Sequence, residues 1–340
     1  MISIFADGTY AKPFFLTYLN TSVFTLAALP NLLRTAWRVR KSGEWRDQLG
    51  WIRERYRRGA IRISNSTHPA STRRPTSQRE FLAVLPTAKI ALQFCPLWFS
   101  SNYLALACLE HTSVASTTVL SSTSSIWTLA IGALSGTEKF TLPKLISVMA
   151  SLLGITLISR ADLTTSADNV KAAAASSNDG GTLSPFPAKT PREIILGDAM
   201  ALCSAILYGY YTVFLKRIST TALPLKINMS LLFGLMGLIN IFLLAPLLWL
   251  VSVVNIEPFE LPPTSQIWAI ALINSTASLI GDVSWAHALV LTSPLVVTVG
   301  LSLTIPVSLV GEIFLQGRSE SLVYWLGSFF VIGGFVFLPL

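Results

Sequence analysis

Four polar or aromatic side chains follow one face of an otherwise apolar stretch near residue 280. Asn274, Ser278, Asp282 and Trp285 are spaced four, four and three residues apart, which aligns them along one side of a helix. A carboxylate inside an apolar segment costs about 2.5–3.5 kcal/mol on membrane-insertion scales and is therefore a functional candidate. We predict that this stripe lines a cavity for a polar solute. The alternative for Asp282 is a structural hydrogen bond to a neighbouring helix.

Several titratable residues of the apolar stretches could couple solute movement to protons or act as gates of such a cavity. His287 follows Asp282 by about one helical turn, and an imidazole near a carboxylate titrates close to neutral pH. We predict coupling or gating roles for Asp282, His287, Glu312 and Lys89. The alternatives are an interfacial position for His287, and side chains of Glu312 and Lys89 that reach back toward water.

Two aromatic side chains, Tyr208 and Tyr211, lie three residues apart in the apolar sequence AILYGYYTVFLK. At this spacing both rings fall on the same face of a helix, where they would form a wall for a planar ring to stack on. We predict that they contact the solute, with ordinary helix packing as the alternative.

The composition indicates a membrane protein. Of the 340 residues, 52% are hydrophobic and only 12% are charged, whereas soluble domains carry about 25% charged residues. Several stretches of about 20 residues contain almost no charge, which is the length that crosses the hydrocarbon core of a bilayer. The sequence therefore predicts an all-α polytopic membrane protein. Nine apolar segments are predicted, at 14–33, 82–109, 113–136, 143–159, 194–215, 228–254, 266–288, 294–315 and 322–340.

Positive charge is concentrated in a loop between the first two segments. Thirteen of the 25 lysines and arginines lie in this basic loop, residues 34–80, so the net charge of +8 does not predict nucleic-acid binding. By the positive-inside rule the basic loop is cytoplasmic. Alternation of the segments then places 216–226 in the cytoplasm and the acidic, proline-rich 255–266 outside. The Ala-, Ser- and Gly-rich linker 161–193 is predicted to be disordered in the lumen.

Motifs for catalysis or metal binding are absent from the sequence. The chain has no GxSxG, Walker A or HExxH motif, and its three cysteines show no CxxC or metal-ligand spacing. Cys95, Cys108 and Cys203 each lie inside an apolar segment and are predicted to pack among helices. We therefore predict that the protein is not an enzyme and uses no cofactor or metal.

The chain repeats itself at a spacing of 180 residues. This offset, without gaps, aligns LEHTSVASTTVLSSTSS with LVLTSPLVVTVGLSLTI and places Gly154 on Gly334. Because five predicted crossings separate equivalent positions, the two copies face opposite ways and form an inverted repeat. The first repeat is predicted at 1–160 and the second at 194–340. The alternative is that small and hydroxylated residues recur in any pair of packed membrane helices.

The same offset pairs further polar residues of the two copies. Asn102 falls on Asp282, and Thr118 and Ser122 fall on Thr298 and Ser302. Hydroxyl and amide groups can replace the hydration shell of a polar solute, so we predict that these residues bind it. The alternative for the hydroxyls is a bond to their own backbone carbonyls. The predicted solute-binding residues are Asn102, Thr118, Ser122, Tyr208, Tyr211, Asn274, Ser278, Asp282, Trp285, Thr298 and Ser302.

Four stretches are distinctive together: PFFLTYLNTSVFTL, FCPLWFSSNYLALACLEHTSVASTTVLSSTSSIWTLAIG, GDAMALCSAILYGYYTVFLK and LTSPLVVTVGLSLTIPVSLVGEI. They resemble the drug/metabolite transporter superfamily with EamA-like repeats, in particular the solute carrier 35 subfamily F branch and its fungal thiamine-repressible and vacuolar-membrane relatives. The resemblance implies ten helices in two inverted halves. FADGTYAKPFF resembles the loop after the family's first helix, and only five residues precede Ala6, so we expect that helix to be missing.

The residues and the resemblance together predict a secondary transporter of a small polar organic solute. It would work by alternating access, with its site at the midplane between the repeats. The vacuolar membrane is the expected location, and another endomembrane or the mitochondrial membrane is the alternative. Expected partners are the solute, the lipid bilayer, anionic lipid at the basic loop and a second copy of the chain. The alternative functions are a non-transporting scaffold that docks lipid or a partner through the basic loop, and an inactive truncated fragment.

Overall fold

A computed structural model of the chain describes residues 12–30, 33, 37, 82, 84–176, 190–223, 225–254, 257–316 and 322–338, with the side chains of 162–176, 309 and 312–316 left out. The regular elements of this described part are helices, and α1 continues into a 3-10 turn at Phe24–Ala28. The helices are α1 Pro13–Val23, α2 Val84–His111, α3 Val114–Ser122, α4 Ser124–Leu134, α5 Leu142–Ser176, α6 Pro191–Thr221, α7 Met229–Val253, α8 Ser265–Leu291, α9 Pro294–Leu301, α10 Thr304–Gln316 and α11 Leu322–Val336.

Local sequence sets where many of these helices begin. A side-chain oxygen of the preceding residue accepts a hydrogen bond from a first-turn backbone N–H, which satisfies a donor that the helix itself leaves unpaired. At α6 the bond is reciprocal, because Glu193 also accepts a hydrogen bond from the backbone N–H of Thr190 at 2.7 Å. The residues that cap helices in this way are Ser113, Thr190, Asn228, Thr264 and Ser293.

Apolar side chains on the outside of the helices identify their surroundings as lipid. Within the described residues, 142–161, α6, α7 and α8 are long and apolar enough to cross a membrane. Large side chains on these helices stay exposed, among them Phe242 at 78% and Ile273 at 70%. A row of such exposed apolar surfaces would be unfavourable in water and is favourable in a bilayer. The prediction of an all-α polytopic membrane protein is confirmed.

Two of the predicted segments are each built from two short helices. The segment predicted at 113–136 consists of α3 and α4, and the one predicted at 294–315 consists of α9 and α10. The first break lies at Thr123, whose backbone N–H donates to Leu120 O at 3.1 Å. The second lies at Ser302 and Leu303, where the N–H of Ser302 donates to Val299 O at 3.1 Å. Both breaks are therefore tightened turns of the 3-10 type.

One predicted boundary is corrected by the structure. Helix α5 continues to Ser176, so 161–176 is helical where the sequence analysis predicts a disordered linker at 161–193. The physical reason is composition: this part of the linker contains KAAAAS, and alanine has the highest helix propensity. Residues 190–193 of the predicted linker are likewise ordered, as the cap and first turn of α6, while 177–189 and nearly all of the basic loop lie outside the described residues.

Glycines allow α5 and α11 to pack closely in an antiparallel pair. A Cβ added at Gly154 would lie 2.5 Å from the backbone oxygen of Gly327, and one added at Gly334 would lie 2.6 Å from that of Ser147. Gly154 and Gly334 are 180 residues apart, and so are Ser147 and Gly327. The contact is therefore reciprocal, as it is across a two-fold axis.

Helix bounds follow the same spacing. Helices α2 and α8 end at His111 and Leu291, and α5 and α11 begin at Leu142 and Leu322, so each pair of bounds is 180 residues apart. Equivalent sequences in the two halves therefore form equivalent elements.

Gly334→Ala tests the α5–α11 contact. The added methyl group would meet backbone atoms of Ser147 and Ser151, so the helices must separate. We expect the free energy of unfolding to fall by about 1–3 kcal/mol, which is measured as a lower melting temperature of the purified protein in detergent. Gly333→Ala is the matched control, because a Cβ at Gly333 meets nothing within 4 Å. Equal melting temperatures for the two variants would contradict the packing described here.

Candidate functional site

An aromatic cluster of Trp98, Tyr208, Tyr211 and Trp285 lies where α2, α6 and α8 meet. The ring centroids of Tyr208 and Tyr211 are 5.0 Å apart, those of Trp98 and Tyr211 5.1 Å, and those of Trp98 and Trp285 5.8 Å. The rings are tilted or edge-to-face, which is the arrangement that aromatic pairs prefer. Trp98 is 3% exposed, and Phe24, Phe94 and Phe233 pack against it.

Hydrogen bonding fixes part of this cluster and leaves part of it unsatisfied. The indole Nε1 of Trp285 donates to Tyr208 Oη at 3.0 Å. The amide Nδ2 of Asn102 donates to the backbone oxygen of Trp98 at 2.8 Å, which places Asn102 one turn from the cluster. The indole Nε1 of Trp98 is buried and has no hydrogen-bond partner among the described residues. A buried donor without a partner is unusual and indicates a place where another molecule can bond.

Asp282 lies one turn before Trp285 on α8 and is half-buried. The ring of Trp285 contacts those of Tyr208 and Tyr211, with centroids 6.2 and 5.8 Å apart, so Asp282 lies one helical turn from the cluster. In the described part of the chain no side chain donates a hydrogen bond to Asp282 or forms an ion pair with it. Among the described residues, the structural hydrogen bond considered in the sequence analysis is thus not made.

The remaining predicted binding residues fall into two groups. Asn274 and Ser278 are half-buried on the same side of α8 as Asp282 and extend its polar stripe. The hydroxyls on α3 and α9 are instead satisfied within their own helices, as the alternative for them states. Thr118 donates to Val114 O at 2.8 Å, Ser122 to Thr118 O at 2.6 Å and Thr298 to Leu295 O at 3.0 Å, while Ser302 is half-buried at the break between α9 and α10.

Of the predicted gating residues, His287 and Lys89 lie on the exposed surface and not in the aromatic cluster. His287 is exposed, and its Nδ1 lies 2.7 Å from Val283 O on the same helix. Lys89 is exposed near the start of α2. The side chain of Glu312 lies outside the described residues.

At one end of α6, a carboxylate binds the turn between α2 and α3. Asp198 accepts hydrogen bonds from Thr112 Oγ1 and Ser116 Oγ, each at 2.7 Å. Thr112 belongs to the turn itself, and Ser116 lies in the first turn of α3. This end of α6 is therefore held to the place where the first half of the chain reverses direction.

At the other end of α6, an ammonium group binds the turn between α8 and α9. Lys216 Nζ donates to the backbone oxygens of Leu289 at 3.2 Å, Val290 at 2.9 Å and Thr292. A cation is favourable here because the last carbonyls of α8 carry partial negative charge. Thr292 and Thr112 are 180 residues apart, so a single helix holds the equivalent turns of both halves.

A buried ion pair lies near Lys216. Glu138, which is 8% exposed, pairs with Lys144 at 2.7 Å and accepts a hydrogen bond from the backbone N–H of Leu295 at 3.3 Å. The carboxylate thereby meets the N-terminus of α9, where negative charge is stabilised. This contact joins the loop after α4 to the second half of the chain.

The acidic segment between α7 and α8 caps the first helix. The two carboxylate oxygens of Glu257 accept hydrogen bonds from the backbone N–H groups of Phe14 and Phe15 at 2.9 and 3.0 Å. Lys12 pairs with Glu260 at 3.6 Å and donates to Pro258 O at 3.0 Å. The start of α1 is thus fixed by residues more than 240 positions away along the chain.

Sequence reasoning missed several of these residues. Trp98 precedes Asn102 by four residues, so the helical stripe that contains Asn102 is the signal that could have identified it. Asp198 and Lys216 stand out only as opposite charges near the two ends of one apolar segment. For Glu138 and Glu257 no signal in the spacing predicts the partner, because each contact joins distant parts of the chain.

Comparison with known proteins gives a consistent set of relatives. No protein-family profile matches the chain. The chain is 33% identical over 338 residues to an uncharacterized vacuolar membrane protein of Saccharomyces cerevisiae, an alignment that covers 98% of this chain and 83% of the relative. It is 34% identical over 329 residues to the thiamine-repressible mitochondrial transport protein of the same yeast, which covers 96% of this chain and 83% of the relative.

Two further similarities concern an animal protein and a solved structure. The chain is 30% identical over 250 residues to solute carrier family 35 member F5 of Bos taurus, covering 73% of this chain and 43% of the relative. One solved crystal structure aligns with 99% of this chain and 94% of its own, with a TM-score of 0.58 and 12% identity. At that identity the structural likeness concerns the fold alone.

Lys216→Met tests the contact between α6 and the α8–α9 turn. The variant keeps the apolar stem but removes the ammonium group from three carbonyl oxygens. We expect the free energy of unfolding to fall by about 0.5–2 kcal/mol, which is measured as a lower melting temperature in detergent. Arg217→Met is the control, because Arg217 is adjacent, cationic and exposed. If both variants lower the melting temperature equally, net charge rather than this contact is responsible.

Proposed function

Because this chain belongs to the solute carrier 35 family of the drug/metabolite transporter superfamily, we propose that it is a secondary transporter that moves a small polar organic solute by alternating access. The chain is a membrane transporter. Its relatives are described as proteins of the vacuolar membrane and of mitochondria, and it is a multi-pass protein of an intracellular membrane. The vacuolar membrane is the proposed location.

The observation that carries the proposal is the carboxylate of Asp282, which lies among apolar helices and has no side-chain partner in the described part of the chain. A charge inside an apolar membrane helix is unfavourable unless a ligand or a proton compensates it. Around it lie the polar stripe of α8 and the aromatic cluster, to which α2, α6 and α8 contribute. Apolar walls with a few polar groups are the usual composition of a small-molecule site.

We propose further that the two halves, 1–160 and 194–340, are inverted repeats with the solute site between them. The helix bounds and turns that recur at the 180-residue spacing support this proposal, and so does the reciprocal contact of α5 with α11. Within the site, α2 comes from the first half and α6 and α8 come from the second. Transporters built from inverted repeats place their substrates at such an interface near the bilayer midplane.

Alternating access requires that the two ends of the site open at different times. Helix α6 suits this requirement, because Asp198 holds the turn of the first half at one end and Lys216 holds the turn of the second half at the other. Release of one contact with the other intact would open a single side. We assign the Lys216 end to the cytoplasm, because Leu82, which follows the basic loop, donates its backbone N–H to the oxygen of Lys226, shortly beyond the end of α6.

Two other contacts are proposed to reinforce the closed ends. Glu138 joins Lys144 to the start of α9 at the Lys216 end, and Glu257 caps α1 at the opposite end. Binding of anionic lipid to the basic loop and formation of a homodimer remain predictions of the sequence analysis.

Asp282→Asn tests the proposed transport site. The full chain is reconstituted in liposomes and offered a panel of labelled polar solutes that carry positive, negative or no charge, with and without a pH gradient. We expect uptake of one solute class by the wild type and at least about a tenfold lower rate for the variant, because the amide cannot supply the charge. Uptake that depends on the pH gradient would indicate coupling to protons.

The matched control is Ser284→Ala, which alters the exposed side of the same helix two residues away. It should transport at the wild-type rate. Deletion of 42–79 separates the scaffold alternative, because a scaffold needs the basic loop whereas the solute site does not. Equal uptake by wild type and Asp282→Asn would contradict the proposal.

A further inference from the structure

We propose that the transported solute is an organic cation that also carries a hydrogen-bond acceptor, and that Asp282 and the aromatic cluster bind it. This inference deepens the proposed transport function and rests on it. It goes further in one respect: the charge and chemical class of the solute follow from the groups that face the site.

The charges around Asp282 favour a cationic solute. Lys216 is the cationic side chain of α6 that approaches α8, and its ammonium group is bound to carbonyl oxygens from Leu289 onward. Leu289 lies seven residues beyond Asp282, which is about 10 Å along the helix. Lys144 is paired with Glu138. An anionic solute would therefore meet an uncompensated carboxylate, whereas a cation would neutralise it.

The aromatic rings near this carboxylate also favour a cation. Trp285 follows Asp282 by one turn of α8, and its ring contacts those of Tyr208 and Tyr211. The face of an aromatic ring is negative, and a cation within about 6 Å of the ring centre is attracted to it. A carboxylate and several aromatic rings form an environment that favours alkylated ammonium groups and cationic rings over neutral solutes.

The buried indole donor of Trp98 indicates what else the solute carries. In the part of the chain that the structure describes, its Nε1 has no hydrogen-bond partner, although Trp98 is only 3% exposed. A hydroxyl, carbonyl or ring nitrogen of the solute would satisfy this donor. The cation is therefore expected to carry such an acceptor beside its charged group.

A metal ion fits this site less well than an organic cation. The described residues contain no group of three histidine, cysteine, aspartate or glutamate side chains that could hold a metal ion. Hard cations need several oxygen ligands, and aromatic rings do not supply them.

Entry of the solute requires the aromatic rings to separate. In this structure the rings contact one another, and Trp285 Nε1 bonds to Tyr208 Oη between α8 and α6. A solute that inserts between these helices must break this bond and the contacts of Trp98 with Trp285. Tryptophan fluorescence is thus expected to report binding directly.

The test compares three probes on the purified full chain in lipid nanodiscs: benzyltrimethylammonium, benzyl alcohol and benzoate. Tryptophan fluorescence gives the dissociation constant of each. We expect the cation to bind at least about tenfold more tightly than the other two probes. Asp282→Asn should raise the dissociation constant of the cation at least about tenfold, and Asp282→Glu should restore most of the affinity. Ser284→Ala should leave all three constants unchanged.

Two outcomes would overturn the inference: benzyl alcohol or benzoate binds as tightly as the cation, or Asp282→Asn leaves the affinity for the cation unchanged. Trp98→Phe and Trp285→Phe test whether the fluorescence change comes from the aromatic cluster, since each should reduce the quenching by the cation. Because this test measures binding, it separates the two proposals. Uptake of only neutral or anionic solutes in liposomes would preserve transport and refute the cationic solute, whereas cation binding without any uptake would refute transport and preserve the site.

Discussion

The hydrocarbon core of a bilayer offers no hydrogen-bond partner, so a polar group in a membrane helix must find one within the protein or in a ligand. Many hydroxyls of the described residues do so locally, as Thr118 and Ser122 do with backbone carbonyls one turn earlier. Asp282 and the indole N–H of Trp98 are among the described polar groups that have no such partner. These two groups lie at the same aromatic cluster, which is why we propose the solute site there.

Helix α6 connects this site to both ends of the bundle. Its aromatic side chains belong to the cluster, while Asp198 and Lys216 near its two ends bind the turns of the two halves. The cluster and both turns are therefore in contact with the same helix. The positive charge of Lys216 is stabilised where it lies, because it contacts carbonyl groups at the C-terminus of α8.

Sequence and structure agree best where the reasoning depends on helical spacing. Asp282, Trp285, Tyr208 and Tyr211 are predicted from their spacing on two segments, and the structure brings them together. Trp98 was not predicted, because an indole in an apolar segment has the same sequence signature whether it packs or binds. Its role depends on what surrounds Nε1, which is contributed by other helices.

The sequence by itself determined the membrane class, the helical segments and the spacing at which the chain repeats, because hydrophobicity, helix caps and periodicity are local properties. It did not determine which residues meet across helices. Asp198 binds a turn more than 80 residues away, and Glu138 binds the start of α9 157 residues away. Such pairs form only when the helices pack, so the tertiary structure alone decided which charges are paired and that Asp282 has no side-chain partner among the described residues.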